Sequence, residues 1–187
     1  MKALPNVLTL LRMGAALPLF WCIVSGHEQA AFWVALGAGA SDGVDGWLAK
    51  RFGWTSRLGA ILDPLADKVL LLAALVGLTQ HGSLPMWLLS VALARDLCLV
   101  MGGMVYHWRY EKLTPQPSVP GKLTTLALVL LIVLTLASEA FGLGLDGTIE
   151  VLVWLSAALL GLSWIHYWLV WSPRSRAIAQ SKGSPTP

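Results

Sequence analysis

Long apolar stretches alternate with short polar breaks along most of the chain. A membrane-spanning helix needs about 20 mostly apolar residues. The breaks are rich in Gly, Pro and Ser, which favour turns over helix. The pattern predicts an all-α, polytopic membrane protein with six transmembrane helices. The six predicted spans are 5–25, 29–51, 58–80, 84–107, 121–142 and 149–171.

The composition agrees with a chain whose main solvent is the bilayer. Of its 187 residues, 56% are hydrophobic and only 12% are charged, against about 25% charged residues in soluble domains. The first apolar run is long enough to span and lacks a small-residue cleavage site, so no cleavable signal peptide is expected. The sequence predicts a six-helix membrane domain over 1–171 and a basic, disordered cytoplasmic tail over 172–187.

The positions of the cations predict the orientation. Loops 2–3 and 4–5 and both termini carry Lys and Arg, whereas the other three loops carry none. Because cytoplasmic loops are enriched in these residues, both termini are expected in the cytoplasm, and a bacterial inner membrane is the expected location. The net charge is only +3, so the positions of the cations matter more than their sum. No nucleic-acid partner is expected. The cations concerned are Lys2, Arg51, Arg57, Arg109, Lys112, Arg174, Arg176 and Lys182.

Four carboxylates lie at the ends of spans 2 and 3 that meet at their short cytoplasmic loop. Asp42 and Asp45 are three residues apart and Asp63 and Asp67 four apart, so each pair shares a helix face. Four such groups would repel one another without cations, and Mg²⁺ or Mn²⁺ prefers oxygen ligands. Two bound ions suit phosphoryl transfer. Helix caps or ion pairs are the alternative, but capping explains only Asp63, which precedes Pro64.

The spacing of these residues resembles the signature of the CDP-alcohol phosphatidyltransferase family. The matching run is Asp42-x2-Asp45-Gly46-x2-Ala49-Lys50-x8-Gly59-x3-Asp63-x3-Asp67, and Pro5-Asn6-x2-Thr9-x2-Arg12 at the start of span 1 extends the likeness. The chain departs from the family where Lys50 replaces the usual Arg, with Arg51 beside it. Lysine lacks the planar guanidinium group with which arginine binds phosphate through two hydrogen bonds.

The resemblance implies a reaction and a role for each residue of the motif. An alcohol would attack the lipid-linked phosphorus of CDP-diacylglycerol, with CMP leaving. The four Asp residues would bind two Mg²⁺ or Mn²⁺ ions, and Asp67 would also act as the general base. The resemblance further implies a homodimer. The donor would be bound by Gly46, Ala49, Lys50, Arg51, Gly59, Asn6 and Thr9, although close helix packing is the alternative explanation of the small residues.

Two cations beyond the Asp motif are candidates for binding the acceptor alcohol. Arg95 lies in the middle of span 4 beside Asp96, and Lys122 opens span 5 in a Gly-Lys-x-x-Thr sequence. These features resemble the phosphatidylglycerophosphate synthase and CMP-forming cardiolipin synthase branches. They imply glycerol 3-phosphate or phosphatidylglycerol as the acceptor, with inositol and serine less well matched. The alternative for Arg95 is a structural ion pair with Asp96 or with an acid on another helix.

Two functions of other classes also fit intramembrane acids. A cation transporter or channel would distribute its acids through the depth of the membrane, whereas the four Asp residues here lie at one side. An inactive scaffold would have no need of four intact carboxylates, although Lys50 leaves that alternative open. The enzyme is therefore the favoured hypothesis.

Overall fold

The computed structural model describes the backbone of residues 4–52, 59–109 and 119–183, and the side chains of 9–41, 62–102, 104 and 120–166. All regular structure within these ranges is α-helical, which confirms the predicted all-α class. The helices begin and end within a few residues of the predicted bounds, except at the C-terminus. They are α1 Leu4–Val24, α2 Glu28–Phe52, α3 Gly59–His81, α4 Met86–Arg109, α5 Val119–Phe141 and α6 Asp146–Gly183.

Helices α1 and α3 both end just before a glycine, with the same backbone conformation and the same pattern of hydrogen bonds. Gly26 has a φ of 72° and Gly82 a φ of 93°, a left-handed conformation that glycine adopts without strain. After α1, the His27 N–H donates to the Cys22 carbonyl at 2.8 Å. After α3, the Ser83 N–H donates to the Leu78 carbonyl at 2.9 Å. In each case an N–H bonds to the carbonyl five residues earlier, which is the Schellman arrangement. The glycines in these two predicted breaks therefore end the helices.

The helices contribute to two compact units, each with its own core. The first unit comprises residues 1–86 and 128–150, and within it α1 packs against both α2 and α3. Its core contains Leu19, Leu75 and Leu78, each at most 1% exposed. The second unit comprises 87–127 and 151–187 and buries Leu88 and Leu160, together with Ser156 and Ser163 of α6.

Helices α1 and α3 run parallel in a fixed register. Residues near their starts are joined by side-chain bonds with sequence separations of 54 and 55. Near their other ends, a Cβ added at Gly77 would lie 3.2 Å from side-chain atoms of Ile23, again 54 positions apart. The absence of a side chain at Gly77 therefore lets the two helices approach closely, and the register fixes which residues of α1 face the Asp residues of α3.

Two helices within the described residues are long and apolar enough to cross a membrane: Pro120–Phe141 and Asp146–His166. A shorter apolar segment, Thr9–Val24, belongs to α1. The part of the chain that the structure describes forms six helices, as predicted, whereas six membrane crossings stay a prediction. Polar residues at one end of α3 and the Arg95-Asp96 pair within α4 shorten the apolar runs of those helices.

The C-terminal segment differs from its prediction. Helix α6 continues to Gly183, although the sequence from Ser172 onward was expected to be disordered. Arg176, Ala177, Ala179 and Gln180 are good helix formers. Their propensity accounts for the continuation of a helix whose first half is apolar.

Candidate active site

Two of the four predicted metal ligands have described side chains, and both lie on the same side of α3. Asp63 and Asp67 are separated by one helical turn and face α1. The Thr9 hydroxyl donates to Oδ1 of Asp63 at 2.5 Å. The Arg12 guanidinium donates from Nη1 to Oδ1 of Asp67 at 3.2 Å. Each carboxylate therefore accepts a hydrogen bond from α1: Asp63 from a hydroxyl, and Asp67 from a guanidinium cation.

Donors and acceptors in these two bonds differ in burial. Thr9 is 2% exposed and Arg12 is 4% exposed, so both donors lie inside the first unit. The side chain of Asp67, by contrast, is 52% exposed. A buried charge is costly unless it is paired, and the contact with Asp67 provides the partner that Arg12 requires. The arrangement leaves the carboxylate of Asp67 accessible from outside the helix pair.

The chemistry of this site fits a hard divalent cation. Ions such as Mg²⁺ take carboxylate oxygens, often only one or two per ion, together with water and phosphate oxygens. A carboxylate offers about four acceptor sites, so one bond from α1 does not by itself exhaust the acceptor capacity of Asp63 or Asp67. Among the described side chains no three His, Cys, Asp or Glu residues cluster as a metal site. The predicted four-Asp metal site also includes Asp42 and Asp45, whose side chains lie outside the described set.

The remaining residues of the predicted donor and metal site belong to segments whose side chains are not described. Helix α2 carries six of them, α1 carries one, and Gly59 is the first residue of α3. Their predicted roles stay predictions. The six residues of α2 are Asp42, Asp45, Gly46, Ala49, Lys50 and Arg51, and the residue of α1 is Asn6.

The two predicted acceptor-binding residues belong to the second unit. Arg95 is 8% exposed and donates to Oδ1 of Asp96 at 2.7 Å and to Oγ of Ser163 at 2.9 Å. Two of its three guanidinium nitrogens are thus engaged within the protein, as the structural alternative expected. Lys122, near the start of α5, is exposed. Lys122 is therefore the more accessible of the two side chains, and the acceptor-binding role of both residues stays a prediction.

Sequence reasoning did not predict the contact of Arg12 with Asp67 or that of Thr9 with Asp63. Arg12 was part of the matching motif but was given no function, and Thr9 was expected near the nucleotide. A signal for Arg12 was present, because a lone Arg in an apolar helix needs an acidic partner. The partner itself could not be predicted, since it depends on which helix is adjacent to α1.

Comparison with known proteins identifies the family of this chain. The family model described as CDP-alcohol phosphatidyltransferase matches residues 2–172. The chain is 40% identical over 147 residues to "Cardiolipin synthase (CMP-forming)" of Streptomyces coelicolor, covering 74% of this chain and 67% of the relative.

Two further relatives carry the name of another member of the family. "CDP-diacylglycerol--glycerol-3-phosphate 3-phosphatidyltransferase" of Aquifex aeolicus is 30% identical over 171 residues, or 88% of this chain and 93% of the relative. The chloroplastic rice protein "CDP-diacylglycerol--glycerol-3-phosphate 3-phosphatidyltransferase 1" is 31% identical over 183 residues, and the chain spans only 55% of its length. The chain belongs to the CDP-alcohol phosphatidyltransferase family and is a phosphatidyltransferase.

Proposed function

We propose that this phosphatidyltransferase transfers the phosphatidyl group of CDP-diacylglycerol to a glycerol hydroxyl, in a reaction that requires divalent metal ions. The observation that carries the proposal is the pair of carboxylates on α3, Asp63 and Asp67, each oriented by a buried donor of α1. Together with Asp42 and Asp45 of α2, they would hold two Mg²⁺ or Mn²⁺ ions. When bound, these ions supply positive charge that neutralises the phosphate oxygens during displacement.

The chain's own residues would position the alcohol and accept its proton. The acceptor oxygen attacks the lipid-linked phosphorus of the donor, and the bond from that phosphorus to the oxygen of CMP breaks. Asp67 accepts the proton of the attacking hydroxyl, a role that its accessible carboxylate supports. Positioning and neutralisation of charge supply most of the acceleration in a transfer of this kind.

For the acceptor, we propose an alcohol that combines a glycerol hydroxyl with a phosphate. Relatives named for cardiolipin synthesis and for transfer to glycerol 3-phosphate both match this chain. Phosphatidylglycerol and glycerol 3-phosphate share that chemistry. Lys122 is the residue that we propose for the acceptor phosphate, because it is exposed whereas Arg95 is buried and engaged with Asp96 and Ser163.

We propose that the reaction takes place at a membrane surface, with the active site at the cytoplasmic ends of α2 and α3. Two long apolar helices support membrane insertion. So do large apolar side chains that lie exposed on the first unit, such as Leu17 at 76% and Trp21 at 70%, and on the second, such as Trp154 at 63%. Lipid is the solvent that suits such a surface. The nucleotide would then enter from the cytoplasm while the acyl chains remain in the bilayer.

The proposal is tested by release of CMP from CDP-diacylglycerol in detergent micelles containing the purified protein and Mg²⁺. Glycerol 3-phosphate, phosphatidylglycerol, serine and inositol are offered separately, and the lipid product is identified by mass spectrometry. We expect CMP release with glycerol 3-phosphate or phosphatidylglycerol and with neither of the other two alcohols. Release with serine or inositol alone would overturn the proposed acceptor. Release with none of the four would overturn the proposed reaction.

A further inference from the structure

Two side-chain hydrogen bonds, one helical turn apart, join α1 to α3 at one end of this parallel helix pair. Thr9 and Arg12 are three residues apart on α1, and their acceptors Asp63 and Asp67 are four apart on α3. Residues at these spacings lie on one face of a helix. The close approach of Ile23 to Gly77 in the same register fixes the opposite end of the pair. The two donors therefore have well-defined positions relative to the two carboxylates.

Burial determines what these donors can do. Thr9 and Arg12 are 2% and 4% exposed, so a substrate arriving from outside would meet the carboxylates before it met either donor. Thr9 is therefore placed to act on the reaction through Asp63, and Arg12 through Asp67. Thr9 is also the only donor to Asp63 among the hydrogen bonds that the described residues show. This differs from direct contact between Thr9 and the nucleotide.

We propose that Thr9 and Arg12 are positioning residues. From the buried side of the helix pair, they orient the carboxylates of Asp63 and Asp67 for metal binding. This inference rests on the proposed metal-dependent function. The hydroxyl of Thr9 fixes the rotation of the Asp63 carboxylate through Oδ1. The guanidinium of Arg12 does the same for Asp67 and adds a positive charge, which lowers the repulsion between neighbouring carboxylates before cations bind.

Hydrogen bonds of this kind have measurable effects in metal sites. Donors that orient a ligand are worth about 10- to 100-fold in metal affinity or activity. Threonine offers a stringent test, because valine has nearly the same shape and lacks only the hydroxyl. Serine keeps the hydroxyl and loses only a methyl group. The pair Thr9→Val and Thr9→Ser therefore separates the hydrogen bond from the packing.

The test measures the dissociation constant of Mn²⁺ by electron paramagnetic resonance and, separately, the release of CMP. We expect Thr9→Val to weaken Mn²⁺ binding by about 10- to 100-fold, and Thr9→Ser to restore most of the affinity. Thr79→Val is the matched control. Thr79 is a buried threonine of α3 whose hydroxyl donates to the Leu75 carbonyl of its own helix, so its loss should leave Mn²⁺ affinity unchanged. Arg12→Lys provides a second variant should Thr9→Val fail to fold, with weakened Mn²⁺ binding again expected.

The outcomes separate this inference from the proposed function. Wild-type Mn²⁺ affinity in folded Thr9→Val, or in Arg12→Lys where that variant is used, would overturn the positioning role even if thermal stability falls. Equal weakening in Thr79→Val would overturn it too, because the effect would then come from general loss of packing. A wild-type protein that binds Mn²⁺ but releases no CMP would overturn the proposed reaction, while the effect of Thr9→Val on Mn²⁺ affinity would still test the positioning role.

Discussion

The two compact units each contain a buried arginine within an apolar helix, and each arginine bonds to an aspartate. The two aspartates differ in where they lie along the chain. In the first unit, Arg12 bonds to Asp67, a residue of another helix. In the second, Arg95 bonds to its sequence neighbour Asp96 and to Ser163 of α6. The side chains of Asp67 and Asp96 are similarly exposed, at 52% and 42%. The same pair of residue types thus occurs in two settings.

The two pairs differ in what surrounds the carboxylate, which is the basis for proposing a functional role for one and a structural role for the other. Asp67 lies one turn from Asp63, which a second donor of α1 also holds. Arg95 instead ties α4 to α6 through a serine, and no second acid lies one helical turn from Asp96, where Cys98, Leu99 and Val100 follow it. Burial of the arginine alone would not have distinguished the two pairs. The residues around the aspartate carboxylate distinguish the two pairs.

The largest expected difference lies between the two carboxylates. Asp67→Asn should lower CMP release by about 10²- to 10⁴-fold, since it removes a proposed metal ligand and general base. Asp96→Asn makes the same chemical change beside the other arginine and should leave the rate close to that of the wild type. Initial rates at saturating donor and acceptor measure both. If Asp96→Asn were as inactive as Asp67→Asn, both pairs would belong to the catalytic site and the comparison would be wrong.

The arginines themselves should differ next. Arg12→Gln is expected to lower CMP release by about 10- to 100-fold through the orientation of Asp67. Arg95→Gln should instead lower thermal stability, because hydrogen bonds to charged groups contribute about 1.5–3 kcal/mol, and should leave the acceptor KM unchanged. Steady-state kinetics and thermal unfolding in detergent measure the two effects. A raised acceptor KM in Arg95→Gln would restore the acceptor-binding role that the sequence predicts.

The smallest effects concern two serines of α6 that lie two turns apart, both completely buried. Ser163 accepts a bond from Arg95, whereas the hydroxyl of Ser156 has no hydrogen-bond partner within the part of the chain that the structure describes. Ser163→Ala should destabilise the protein by about 1–3 kcal/mol. Ser156→Ala should raise stability, by on the order of 1 kcal/mol, because it removes an unpaired buried hydroxyl. Unfolding midpoints of the two variants that shift in the same direction would contradict this assignment.

Much of the fold was predictable because its determinants are local. Apolar runs of the right length gave six helices, and glycines such as Gly26 and Gly82 marked where two of them end. The spacing of Asp63 and Asp67 put both on one face of α3, as the structure confirms. The family resemblance is confirmed by the match over residues 2–172.

What sequence reasoning missed depends on contacts between distant residues. The bond from Arg12 to Asp67 joins positions 55 apart and requires the parallel register of α1 and α3. The bond from Arg95 to Ser163 joins positions 68 apart. Hydropathy shows that these cations need partners, but not which residues supply them. The continuation of α6 to Gly183 has another cause, since helix propensity acts in polar segments that a hydropathy pattern does not mark.

Removal of divalent metal tests the central claim of metal-dependent phosphatidyl transfer most directly. Purified protein is treated with EDTA, its metal content is checked by mass spectrometry, and CMP release from CDP-diacylglycerol is followed with the preferred acceptor. We expect no release until Mg²⁺ or Mn²⁺ is added back, and then recovery of the full rate. Undiminished release by protein shown to be free of metal would contradict the account, because carboxylates on α2 and α3 without cations could not neutralise the reacting phosphates.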